Sequence, residues 1–249
     1  AASDVYKRQV HHQLNCDWLD PNRCLAGMTG MRGTVPPSVG LMKSHAEEIM
    51  SYLKQAGVAD MPIGLDIAET AMFFELQNAG MNIVDGQQVM LDAREIKNID
   101  EITLLNQAAT MVDGVYHMIY EELKPGVREN DIVALSNQML YEMGSDDVEA
   151  INAISGERCS PHPHNFTDRM FRPGDQAFFD ILQSYQGYRT CYYRTFNVGT
   201  ATSEQNDAYI QCREWLDKAI ELIKPGVSTD TVAKAWPKAE EFGFDSEMP

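Results

Sequence analysis

Two stretches of the chain match across the same four residues at an offset of 100 positions: EELKPGVRENDIVALSNQML (Glu121 to Leu140) and ELIKPGVSTDTVAKAWPKAE (Glu221 to Glu240). Each KPGV follows a helix-like segment, Asp100 to Leu123 in the first copy and Ser203 to Ile223 in the second. Each is followed by another helix, with Asn130 or Thr229 as the candidate N-cap. The unit is therefore helix, KPGV turn, helix. A pseudo-symmetric domain built from two such halves is the expectation. After the first copy come strand-like AINAIS (Ala150 to Ser155), a loop with two histidines and a long hairpin. After the second copy the sequence reaches Pro249 with no strands, so half of any site between the halves is expected to lie outside this sequence.

Upstream of the repeat the pattern changes. Residues 10 to 42 are polar and poorly periodic. A helical pattern then runs from Ser44 to Lys54, with Ala46, Ile49, Met50 and Leu53 at helical spacing. Strand-like MPIGLD (Met61 to Asp66), helical AETAMFFELQNAG and strand-like MNIVDG form a βαβ pattern. This predicts a small α/β domain over 10–94 and an α+β layered domain over 95–249. The first nine residues, AASDVYKRQ, are set aside: DVYKRQ resembles the translation of a transposon end used in preparing sequencing libraries.

Charge narrows the partners. The formal net charge is -17, and removing the first nine residues (one Asp, one Lys, one Arg, net +1) gives -17 - 1 = -18. Binding to nucleic acid or an anionic membrane rests on clustered Lys and Arg, so neither is expected. Five scattered cysteines with no CxxC pair suit a reducing compartment, and a cytoplasmic location is expected. No apolar run approaches the roughly 20 residues that span a bilayer.

The hairpin carries the candidate chemistry. In FFDILQSYQGYRTCYYRTF, apolar and aromatic residues flank Ser184-Tyr185-Gln186-Gly187. A turn centred between Tyr185 and Gln186 would make paired positions sum to 371 and set Asp180 directly opposite Cys191. Cross-strand Cβ atoms lie about 5 Å apart, so the two could share a metal ion or a substrate group. Asp180 among Phe178, Phe179, Ile181 and Leu182 is expected either to bind a cation or to accept hydrogen bonds from Arg189 or backbone. Cys191 is open to two readings, a small packed hydrophobe or a ligand. His162 and His164, two apart in a Pro-interrupted loop, can both face one site if that loop is extended. Arg194 is a candidate for binding a substrate carboxylate or for pairing with an acid.

AREIKNIDEITLLNQAA, KPGV, ISGERCSPHPHN, RPGDQAFFDI and QGYRTCYYRTFNVG occur in an order and spacing that resembles the superfamily of methionine aminopeptidase, aminopeptidase P, prolidase and creatinase. The resemblance covers roughly residues 57 to 249. It implies an α+β pita-bread catalytic domain, incomplete here, preceded by part of a creatinase/prolidase-type N-terminal domain. It also implies a metallopeptidase-type hydrolase acting on a small peptide or amide, in an assembly that is commonly a homodimer. Metal-dependent members hold two divalent ions (Mn, Zn, Fe or Co are the candidates here) with two Asp from this hairpin and a His and two Glu from the later half. Asp180 matches the first Asp. Cys191 stands at the second, so an altered metal site is expected. The substrate-contacting His falls at His162 or His164, which would serve as catalytic acid/base. Alternatives are metal-independent creatinase-like C–N hydrolysis, lyase chemistry on a small molecule, or a binding protein that has kept the fold without turnover. This stretch alone is expected to be inactive.

Overall fold

The structure is a computed structural model describing residues 37–161 and 163–245. The first nine residues, most of the polar segment over 10 to 42 and His162 lie outside the described residues. The chain divides into two compact units at Lys97/Asn98.

In the first unit, α1 (Leu41–Gln55) precedes β1 (Ile63–Leu65), α2 (Thr70–Asn78), β2 (Ile83–Asp85) and α3 (Gln87–Glu95). β1 and β2 pair in parallel, Ile63 with Ile83 and Leu65 with Asp85, giving the expected βαβ unit. Its small core joins Ala46, Leu76 and Met81 to Ile49, Met50, Leu53, Ile63 and Leu65. Gly86 is required where β2 leaves the pair, because a Cβ there would stand 2.8 Å from the carbonyl carbon of Gly64. Helix α3 was not visible as a separate element. It buries none of its side chains, so it leaves no apolar periodicity to read.

The second unit begins with α4 (Ile99–Glu122), capped by Asn98, whose side chain accepts from the amides of Asp100 (2.9 Å) and Glu101 (3.0 Å). Ala108, Met111, Val112, Val115, Tyr116 and Ile119 fall on its buried face. Helix α5 (Glu129–Glu142) buries Ile132, Val133, Ser136 and Leu140. Its N-cap is Arg128, not Asn130, for a tertiary reason: the amides of Glu129 and Asn130 bond to the carbonyls of Arg169 (3.0 Å) and Thr167 (3.1 Å). Those bonds occupy the amides that a later start would leave to local capping.

Both helices cover one face of an antiparallel sheet ordered β3 (Asp147–Ser155), β4 (Gln176–Tyr185), β5 (Tyr188–Asn197). The helix side of the sheet buries Ile151, Ala153, Phe179 and Ile181 in a core with Phe171 and Val198. Burying a side chain of this size stabilises by about 2 kcal/mol. The Tyr116 hydroxyl ties helix to sheet, donating between the carbonyls of Phe179 (2.9 Å) and Tyr192 (2.6 Å).

The hairpin register differs from expectation by two. The turn is the two-residue Gln186-Gly187, with φ of 51° and 79°, and Tyr185 pairs with Tyr188. A two-residue turn with positive φ at both positions matches the twist of the strands, and glycine supplies the second at little cost. Asp180 therefore pairs with Tyr193, and Cys191 with Leu182. A slip of two preserves the side on which each residue lies.

The second copy of the repeat forms α6 (Ser203–Leu222) and the short α7 (Thr229–Ala233), capped by Thr202 and by Ser228 rather than Thr229. Apart from the buried Ala219, the apolar positions of this copy are half-buried or exposed among the described residues. Leu216 is 43% exposed where Tyr116 of the first copy is 5%, and Ile223 and Trp236 are exposed too.

Candidate functional site

The face of the sheet away from α4 and α5 holds Asn152 from β3, Asp180 and Leu182 from β4, and Cys191 and Tyr193 from β5. Strand alternation puts them there: each residue lies opposite or two positions from another on one side of the pleat. Asp180 is 3% exposed. Its Oδ2 accepts from Asn152 Nδ2 at 3.1 Å, and its Oδ1 accepts from Cys191 Sγ at 3.3 Å. So Asp180 and Cys191 do meet, along a diagonal rather than directly opposite. The sequence expected Arg189 or backbone as donors to Asp180. Arg189 pairs instead with Glu149.

Cys191 is exposed as a residue, but its sulfur sits against the carboxylate. Partial burial, and then the bond to Asp180, push its thiol up to about 11, so it is a neutral donor at physiological pH. Burial and the same carboxylate also push the Tyr193 phenol up. Asp180 is thus an acceptor among neutral donors. Asn152 had no signal in the sequence until the register was known.

The expected ligation of a metal was tested on this donor set. Zinc takes three or four protein ligands, and Mn and Mg favour oxygen over thiol. Asp180 and Cys191 supply two donors, and among the described residues no group of three His, Cys, Asp or Glu could hold an ion. The described residues therefore do not by themselves fit the metal pair, and no chemical step is drawn through one.

The remaining candidates lie apart. His162 is outside the described residues. His164 is exposed, in a loop joined to the outer edge of β3: the Ala153 amide donates to the Asn165 carbonyl at 3.3 Å, one residue from Asn152. Arg194 lies on the helix side of the sheet, away from Asp180. Its guanidinium stacks 4.6 Å over the Tyr192 ring and reaches Asp113 at 4.0 Å, which makes it a cohesive contact of α4 with β5. Arg194 is three residues from Cys191, and that odd spacing in a strand already separates their faces.

The base of the histidine loop is charged. Arg169, largely buried, bonds Glu157 (2.6 Å) and Asp175 (2.5 Å). Its hydrogen bonds hold the Glu157 carboxyl down to about 2. Burial, the largest influence on Asp175, disfavours its ionisation, but the Arg169 bond, the Arg172 amide and the Arg169 charge together outweigh it and lower that carboxyl too. Both acids are stronger in the folded state, so their contribution is present above about pH 4.5 and is lost as pH falls toward 2. Asp175→Asn is expected to lower stability by about 2 kcal/mol at pH 7 and to flatten the fall below pH 4.5. Urea unfolding at pH 7, 4 and 3 checks this, and parallel curves for the two proteins would refute it.

The family model described as Metallopeptidase family M24 matches residues 103–248. The chain is 26% identical over 221 residues to the "Probable dipeptidase PepE" of Mycobacterium tuberculosis, covering 88% of this chain and 53% of that protein. It is 27% identical over 160 residues to the "Xaa-Pro dipeptidase" of Pyrococcus furiosus, covering 63% and 45%. It is also 27% identical over 172 residues to the "Ectoine hydrolase" of Halomonas elongata, covering 65% and 43%. Among solved structures, the prolidase from Pyrococcus furiosus superposes with a TM-score of 0.66 at 22% identity, covering 76% of this chain and 56% of that one. That likeness shows the pita-bread α+β fold. The chain spans about half the length of the curated relatives it matches.

Proposed function

The chain belongs to metallopeptidase family M24, and from that membership we propose that its protein hydrolyses a peptide or amide bond in a small substrate, at a metal site altered by Cys191. The observation that carries this reading is the contact of Cys191 with the buried Asp180. These are the hairpin positions where the family resemblance implies two carboxylate ligands. Asn152 fixes the Asp180 carboxylate, and His162 or His164, the latter beside the outer edge of β3, is the candidate for moving a proton to or from the scissile bond. Likeness to an Xaa-Pro dipeptidase makes Xaa-Pro dipeptides the first substrates to try. A cytoplasmic location and a homodimer belong to the same proposal. Arg194 is not carried forward as a substrate ligand, because it faces the helices.

A second reading is favoured by Cys191, at a position where the family resemblance implies a carboxylate ligand, together with the likeness to an ectoine hydrolase: metal-independent C–N cleavage in a small molecule. The test is to translate the gene past the codon for Pro249, express that frame, and assay Xaa-Pro dipeptides with and without Mn(II) or Co(II). Metal-dependent cleavage is the expected result. Turnover of a cyclic amide or amidine without metal would replace the first reading by the second, and no turnover of either class would overturn both.

A further inference from the structure

The segment carrying His164 rests on one buried carboxylate far from it in sequence. Glu129, in the first turn of α5, is fully buried, and its oxygens accept from Ser155 Oγ (2.7 Å), Thr167 N (2.9 Å), Thr167 Oγ1 (2.7 Å) and Arg158 Nη1. A buried carboxylate is tolerated only when it is paired and its lone pairs are filled, as here. The same guanidinium turns its other nitrogen outward: Arg158 Nη2 donates to Asn165 Oδ1 at 2.6 Å, while Nη1 also reaches Thr167 Oγ1 at 3.2 Å. Asn165 directly follows His164, and its carbonyl is the acceptor for the Ala153 amide. One planar fork therefore spans helix α5, the loop and, through Asn165, the edge of β3. A lysine could satisfy Glu129 but could not hold both arms at once.

We infer that Arg158 is a positioning residue, setting the segment that carries His164 against β3 by bridging Glu129 to Asn165. The inference rests on the reading above that His164 serves the site. Thr167 and Met170 have independent anchors on residues 128–130, through the Asn130 amide and the bridge of Arg128 to Met170, so the far side of the loop does not depend on Asn165. The bridge thus acts on the short stretch beside His164.

Two variants of the present chain test it without leaving Glu129 unpaired. Asn165→Ala removes only the acceptor of the outer arm, and Arg158→Lys keeps the charge facing Glu129 while losing the fork. Three readouts are taken: exchange of the Ala153 amide, the ring resonances of His164 (assigned with His164→Gln), and the urea midpoint. Each variant is expected to speed Ala153 exchange at least tenfold and to move the His164 resonances. The double variant is expected to match the singles, because both remove one bond. Unchanged exchange and resonances, effects that add in the double variant, or a loss of protection spread evenly over β3 to β5 would each overturn the inference. None of these readouts needs turnover, so the expected shifts here, together with no hydrolase activity in the protein expressed from the frame past Pro249, would sink the hydrolase reading and leave the Arg158 bridge standing.

Discussion

Glu129→Ala is expected to lower the unfolding free energy by about 3–5 kcal/mol, the cost of breaking a buried, hydrogen-bonded ion pair by removing one partner. Four donors converge on that carboxylate: Arg158, Ser155 and two from Thr167. Alanine strands all of them. Arg158 is only 21% exposed at its side chain, so water cannot fully replace the lost acceptor. The loss should also be local at first, releasing Thr167 from the start of α5 before the sheet opens. Urea unfolding by circular dichroism gives the size, and amide exchange at Thr167 gives the order. A change below about 1 kcal/mol would mean that Arg158 swings to solvent and that the cluster does not hold the loop. Glu129→Gln keeps the volume and an acceptor, so it should recover a part of the loss.

Phe179→Ala is expected to cost about 3–5 kcal/mol through the cavity it leaves. Phe179 is fully buried, with ring centroids 6.2 Å from Phe171 and 6.0 Å from Phe196, and its carbonyl accepts from Tyr116. For a chain of this length that is a fall of roughly 10 °C in melting temperature. Phe178→Ala is the control. That ring is half-buried on the other side of the sheet, beside Tyr193, and its loss should cost about 1 kcal/mol. Calorimetry on the two variants decides the matter: equal losses would mean that the helix-facing side is not the dominant core of this unit.

Much of this was legible in the sequence because it depends on local pattern. The helices around each KPGV, the parallel β1 and β2, and the strands β3 to β5 all follow apolar periodicity or alternation. The register of the hairpin was read two residues off because Gln-Gly is a weaker turn signal than Asn-Gly or Asp-Gly, and glycine alone did not say which pair was central. The contact of Asp180 with Cys191 was nonetheless foreseen, since a shift of two keeps the side. Asn130 looked like an N-cap by residue type, but carbonyls from residues 167 and 169 took the amides that decide the start of α5. The Glu129 cluster was illegible for a related reason: its partners lie 26 to 38 residues away, and no local pattern announces a buried glutamate. Arg194 follows the second of its two readings, pairing with Asp113, and strand parity accounts for its facing α4 rather than Asp180.

The alternation of β5 has a consequence for how this segment can change over time. Cys191 and Tyr193 share a surface with Asp180, while Tyr192 and Arg194 belong to the helix contact. Four consecutive codons therefore answer to two different selective pressures, interleaved. Drift at 191 or 193 can change the face that carries Asp180 while the packing contacts stay intact. Drift at 192 or 194 must be compensated within the helix contact, for instance at Asp113 of α4, which both side chains reach. The two faces can thus evolve on the same strand nearly independently, each reading every second letter.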